Sequence, residues 1–166
     1  MKVGILSDTH DNLPLVEAAA RFFRDEGIER VLHLGDVTKP RSLEPLKGFR
    51  LTTVQGNNDG ALPELPVSWA GEVGGVPVAA THGHLSDFLQ ELVASRRYAF
   101  VFRGHSHKAG VTREGETTVV NPGALHRAAV KSVCVLDTAT RGLAFYAVEA
   151  HRVAPWTPPA AAPKRR

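Results

Sequence analysis

The chain has 166 residues, of which 43% are apolar and 22% charged. That length suits one domain with a sizeable core, and the composition is that of an ordinary soluble globular protein. No apolar run approaches the ~20 residues of a membrane helix. The first residues lack the apolar core and small-residue cleavage site of a secretory signal. No membrane partner is therefore expected, and the expected location is cytoplasmic. The single cysteine, Cys134, excludes an internal disulfide and fits a reducing compartment. Within SVCVLD it reads as a small buried core residue. There are 20 Lys+Arg against 17 Asp+Glu, and three of the basic residues are Lys164, Arg165 and Arg166. The excess positive charge is thus a property of the tail and gives only weak support for a nucleic-acid partner.

In chain order, KVGILSD (2–8) is a short apolar run without helical period and reads as a buried parallel strand. Leu13, Val16, Ala20 and Phe23 recur at helical spacing, with Asn12 as the candidate cap, Pro14 in the first turn and Gly27 as the stop. IERVLHLGDV is a second strand, PRSLEPLKGF a short helix-like segment interrupted by Pro45, and RLTTVQGN a third strand. Strand–helix–strand alternation implies right-handed crossovers and a parallel core. VPVAATHGH and YAFVFRGHSH are strands around a helix from Asp87 to Arg97, with Asp87 and Gln90 as a capping box and Leu85, Leu89, Leu92 and Arg96 on one stripe. GVTREGETTVVNPG and SVCVLDTATRGLAFYAVEA read as hairpins, the second turning at Thr138–Gly142. The expected architecture is two sheets packed face to face with helices outside, over residues 1–154. From Pro155 the chain carries four prolines in twelve residues and is expected to form an extended basic tail, pinned by Trp156.

Five consecutive strand candidates end on Asp, Asn or His: SDTHDN, GDV, GNND, THGH and GHSH. Open α/β sheets bind ligands at the carboxyl ends of their strands, so these endings converge on one cluster of metal-ligand residue types. Asp8 and His10, and likewise His105 and His107, stand two residues apart. In extended backbone such pairs face the same side. Gly35, Gly56 and Gly104 each precede a candidate ligand, where glycine permits a sharp turn or close approach.

The same motifs in this order resemble the calcineurin-like metallophosphoesterases, most closely their small YfcE/MJ0936-like branch, from Lys2 to about Gly123 and including NPG at Asn121–Gly123. The resemblance implies a four-layer α/β/β/α sandwich of two mixed sheets. It also implies two metals, one held by Asp8, His10, Asp36 and His107 and the other by Asp36, Asn57, His82 and His105, with Asp36 bridging. Two dications about 3.5–4 Å apart repel, and a shared carboxylate offsets that. Four His, two Asp and one Asn suit Mn, Fe, Zn, Ni or Co better than Mg or Ca. Manganese is the first choice by resemblance.

The reaction implied is metal-dependent phosphoric ester hydrolysis, with a metal-bridging hydroxide attacking phosphorus in line. Many relatives place a proton-donating His after the ligand Asn. This chain has Asn58 there, an amide that can donate a hydrogen bond but cannot act as an acid. The expected activity is therefore phosphodiester hydrolysis favouring good leaving groups, on a small diester, with water or His84 supplying any proton. His84 is expected either to line the site or touch a phosphate oxygen, or to stabilise its loop, and Asp59 to orient its neighbours. His33 reads as structural or as a support behind the ligands, His126 as facing the pocket mouth, His151 as surface, and Asn121 as holding a loop near the site or contacting it. Two other readings stay open, a non-catalytic metal-binding scaffold of the same fold and a nucleic-acid or cyclic-nucleotide phosphodiesterase. The oligomeric state stays open too, a homo-oligomer being suggested by analogy alone.

Overall fold

The computed structural model describes residues 1–160. The basic residues Lys164, Arg165 and Arg166 lie outside the described residues. Strands β1 (Lys2–Leu6), β2 (Arg30–His33) and β3 (Arg50–Thr53) run parallel, joined by helix α1 (Leu13–Asp25) and a 3₁₀ turn (Pro40–Leu46). Strands β4 (Ser68–Val73) and β5 (Val76–Thr81) form a hairpin. Helix α2 (Ser86–Ala94) then leads to β6 (Phe100–Phe102). Two further hairpins follow, β7 (Gly110–Glu114) with β8 (Thr117–Asn121), and β9 (Ser132–Asp137) with β10 (Gly142–Glu149), before β11 (Arg152–Trp156).

These strands make two sheets, ordered β11-β10-β9-β1-β2-β3 and β4-β5-β6-β8-β7. The first sheet is parallel from β1 to β3 and antiparallel from β1 outward through β9, β10 and β11. The second is parallel across β5, β6 and β8, with antiparallel edges. Ile5, Leu34, Val78, Phe102 and Leu136 fill the space between the sheets. On the outer face of the first sheet, Val16, Ala20 and Phe23 of α1 pack with Val31, Leu46 and Val135. On the outer face of the second, Val93 of α2 packs with Val101 and Val119. The result is the expected α/β/β/α layering, because each sheet buries one face on its partner and the other under helices.

Local details depart from the sequence reading. Asn12 occupies the cap position of α1, but its amide donates to the Leu125 carbonyl at 2.8 Å and makes no cap bond. Helix α2 starts at Ser86 and stops at Ala94, with Leu85 at the cap position and no side-chain cap. The Asp87–Gln90 capping box is absent because Asp87 already lies inside the helix. Arg96 has φ of 54° and falls beyond the helix end, so the apolar stripe reduces to Leu89, Leu92 and Val93. Strand β11 takes in Pro155 and Trp156, which pair with Tyr146 and Phe145 and so belong to the sheet rather than to an extended tail. Proline is tolerated there because β11 is an edge strand.

Candidate metal centre

The parallel strands of both sheets deliver their carboxyl ends to one edge of the sandwich. Asp8 follows β1, Asp36 follows β2, Asn57 follows β3, His82 follows β5, and His105 and His107 follow β6. The backbone there is not extended. Asp8, His10, Asp36, His105 and His107 have φ of 52°, 42°, 56°, 66° and 57°. The pairs Asp8/His10 and His105/His107 therefore owe their convergence to left-handed turns and not to strand alternation. Each left-handed non-glycine residue costs about 1–3 kcal/mol, and such residues gather at functional sites.

The side chains meet at short range. His107 Nε2 lies 3.1 Å from Asp8 Oδ1, His10 Nε2 3.3 Å from Asp36 Oδ2, and His82 Nε2 3.5 Å from Asp36 Oδ2. Asp8, His10 and His107 each offer a ligand atom within 4.8 Å of the others, as do Asp8, Asp36 and His82. Asp8 is common to both groups, whereas the resemblance gives Asp36 the bridging part. Asp36 Oδ2 nonetheless reaches a nitrogen of each group. Asn57 Oδ1 sits 3.1 Å from His82 Nε2. His105 joins through its ring, 5.2 Å from that of His82, and through its backbone N–H, which donates to Asp8 Oδ2 at 3.1 Å.

The donor set fits a cation. His82 Nδ1 lies 2.7 Å from the Leu34 carbonyl, which can only accept, so Nδ1–H is spent there and Nε2 offers a lone pair. That lone pair faces Asn57 Oδ1 and the Asp36 carboxylate, acceptors like itself. Among the described residues, Asp8 Oδ1 and His10 Nε2 are buried without a hydrogen-bond partner. Acceptors turned toward acceptors in a buried site are satisfied by a cation among them.

Supporting groups fix this cluster. Asp59 is fully buried and accepts from the backbone N–H groups of Asp36 (2.9 Å), Thr38 (2.7 Å) and Gly56 (2.8 Å). Asn121 donates to the Gly104 carbonyl and to Ser106 Oγ, and accepts from Gly123 N–H, so it holds the GHSH loop. His33 Nδ1 accepts from Gly35 N–H, leaving Nε2–H to meet Thr9 Oγ1, a structural role as expected. A Cβ on Gly56 would stand 2.2 Å from Asp36 Oδ1, and one on Gly104 would stand 2.5 Å from Asp8 Oδ2. Sequence reasoning missed Arg41, whose guanidinium with Lys39 and Ser42 grips Asp11 and ties the 3₁₀ turn to the loop carrying His10.

Asn58 donates to both Asp36 oxygens, from its backbone N–H at 2.9 Å and from Nδ2 at 2.7 Å. Burial pushes the Asp36 carboxyl up, but these two bonds with His82 and His10 outweigh it and hold the group below its ordinary value. His84 lies 5.4 Å from the His82 ring, its Nδ1 buried and without a hydrogen-bond partner among the described residues. Burial, then His82 and His105, hold its imidazole below the ordinary value. His126 faces the site, its ring 4.5 Å from that of His10. His151 is exposed at the molecule's surface. Cys134 is buried, and burial pushes its thiol up, so it is an inert core residue.

Comparison with known proteins agrees with the fold. Residues 1–141 match the calcineurin-like phosphoesterase superfamily domain. The chain is 31% identical over 159 residues to phosphodiesterase MJ0936 of Methanocaldococcus jannaschii, an alignment covering 83% of this chain and 93% of that one. A solved structure described as a novel archaeal phosphodiesterase superposes with a TM-score of 0.77 at 26% identity, covering 94% of this chain and all of that one. Vacuolar protein sorting 29 from Cryptosporidium parvum shares the fold, with a TM-score of 0.75 at 19% identity over 93% of this chain and 95% of that one. The chain belongs to the calcineurin-like phosphoesterase superfamily, in its MJ0936-like branch, and is an enzyme of the phosphoric ester hydrolase class.

Proposed function

We propose that the protein is a dinuclear-metal phosphodiesterase that favours diesters with good leaving groups. One metal would be held by Asp8, His10, Asp36 and His107, and the other by Asp36, Asn57, His82 and His105. The observation that carries this reading is the His82 Nε2 lone pair, which faces Asn57 Oδ1 at 3.1 Å and Asp36 Oδ2 at 3.5 Å. Divalent ions in such a site lower the pKa of water and neutralise charge on phosphate oxygens. Manganese is the first candidate, with Ni, Fe, Zn and Co as alternatives of the same donor preference.

The chain's own residues divide the remaining work. Asn58 orients the Asp36 carboxylate through two bonds and keeps it ionised. Its amide has no proton to give up, so departure of a poor leaving group goes without the 10²–10⁴-fold that a general acid typically supplies. His84 borders the cluster beside His82 and His105 and is the nearest candidate to touch a phosphate oxygen. With its imidazole held below the ordinary value, it serves near neutrality as a neutral hydrogen-bonding group.

The test is hydrolysis of bis-p-nitrophenyl phosphate by purified protein across Mn²⁺, Ni²⁺, Zn²⁺, Co²⁺ and Fe²⁺. Turnover abolished by Asp36→Asn and His82→Ala is the expected result. No turnover with any of these metals would leave a non-catalytic scaffold of the same fold as the better reading. Replacing Asn58 with His should raise turnover of alkyl diesters more than aryl ones, and equal effects on both would refute the role given to Asn58.

A further inference from the structure

Resting on that phosphodiesterase reading, we infer that the cavity lined by His107 and Trp156 is the binding site for a nucleoside arm of the substrate. Its volume is about 470 Å³, within the size range of small-molecule sites. One wall is His107, whose Nε2 is 3.1 Å from Asp8 Oδ1, so the cavity and the metal centre share a side chain. Trp156, half-buried and packed against the core between the sheets, lines it as well. Val130, 37% exposed, and Pro159 complete an apolar lining.

Among the described residues the charged groups of the lining are of one sign. Lys108 and Arg127 are both exposed and both line the cavity, and among the described residues no carboxylate does. An apolar recess with an indole wall and two cations, opening beside a phosphoester centre, suits a planar base joined to an anionic phosphate. A methyl or other small alkyl arm would leave the apolar walls wet. Stacking of a base on an aromatic side chain is sequence-tolerant, so the site selects nucleosides as a class and not one base.

Two diesters with the same leaving group separate this site from the chemistry: thymidine 5′-(p-nitrophenyl phosphate) and methyl p-nitrophenyl phosphate. With the Mn²⁺-loaded protein, kcat/KM for the thymidine diester should exceed that for the methyl diester by about tenfold, chiefly through KM. In Trp156→Leu that ratio should collapse toward one, and in Trp156→Phe, which keeps an aromatic face, most of it should return. A ratio within one protein is unaffected by partial loss of folded material. Equal efficiency on both diesters in the wild type, or a ratio unchanged in Trp156→Leu, overturns the cavity's role while leaving the phosphodiesterase reading standing. Calorimetric titration of the metal-free protein with thymidine 5′-phosphate gives the complementary outcome. Binding weakened about tenfold by Trp156→Leu without turnover of either diester would support the cavity and sink the phosphodiesterase reading.

Discussion

Asp59 touches no candidate metal site directly, yet its carboxylate receives three backbone N–H groups from the loops that carry Asp36 and Asn57. Removing it in Asp59→Ala leaves those donors without their partner, at about 1–3 kcal/mol for each buried one, and frees the Asp36 loop. Groups that orient ligands are typically worth 10–100-fold in metal affinity. Titration of Mn²⁺ into Asp59→Ala should show a loss in that range, together with a lower denaturant midpoint. His33 gives a second prediction at this scale. It is fully buried, and burial first of all lowers its imidazole from 6.5 to about 4. Protonation would also break the bond that Nδ1 accepts from Gly35 N–H. The native state therefore stays neutral where the unfolded chain has already taken a proton. The stability contribution is complete above pH 6.5 and declines as pH falls toward 4, by about 2 kcal/mol between pH 7 and 5. Urea unfolding in chelator at those two pH values should show a smaller acid loss in His33→Gln than in the wild type.

At the scale of elements, the site is a set of strand ends whose turns are tight enough to bring carboxylates and imidazoles within 3–4 Å. Gly56 and Gly104 are required there because a Cβ would collide with Asp36 and Asp8. Gly56→Ala and Gly104→Ala should each weaken Mn²⁺ binding at least tenfold with the far-UV spectrum retained, as measured by equilibrium dialysis. Much of this was legible in the sequence, because buried parallel strands are apolar runs and each run stops on a ligand residue type. The mechanism of convergence was not. Strand alternation predicted that Asp8 and His10 share a side, but both are left-handed, and a lone sequence does not reveal φ for Asp or His. Strand β4 was missed because SWAGEV holds Gly71 and little β-branched content, although the Gly74–Gly75 turn after it, with φ of 56° and 77°, was a readable hairpin signal. Proline density masked β11, whose edge position tolerates Pro155.

For the whole molecule, the two sheets hold the centre by meeting at one edge, so the interior packing that fixes them sets the ligand geometry. Phe102 lies fully buried between the sheets, its ring 5.9 Å from that of Phe100, one residue before Arg103 and the GHSH loop. Phe102→Ala should cost about 3–5 kcal/mol in chemical denaturation and weaken metal binding along with it. The distribution of hairpins between the sheets could not be read from local pattern, since β7–β8 and β9–β10 look alike in sequence yet join different sheets. Among the described residues no helix is long and apolar enough to cross a membrane. The central claim is that the ligands from five strand ends hold two metal ions per chain. Equilibrium dialysis against Mn²⁺ with metal analysis tests it most directly. Two ions per wild-type chain, with at least one lost in Asp36→Asn and in His82→Ala, is the predicted result. One ion or none in the wild type, or a stoichiometry unchanged in both variants, would contradict it.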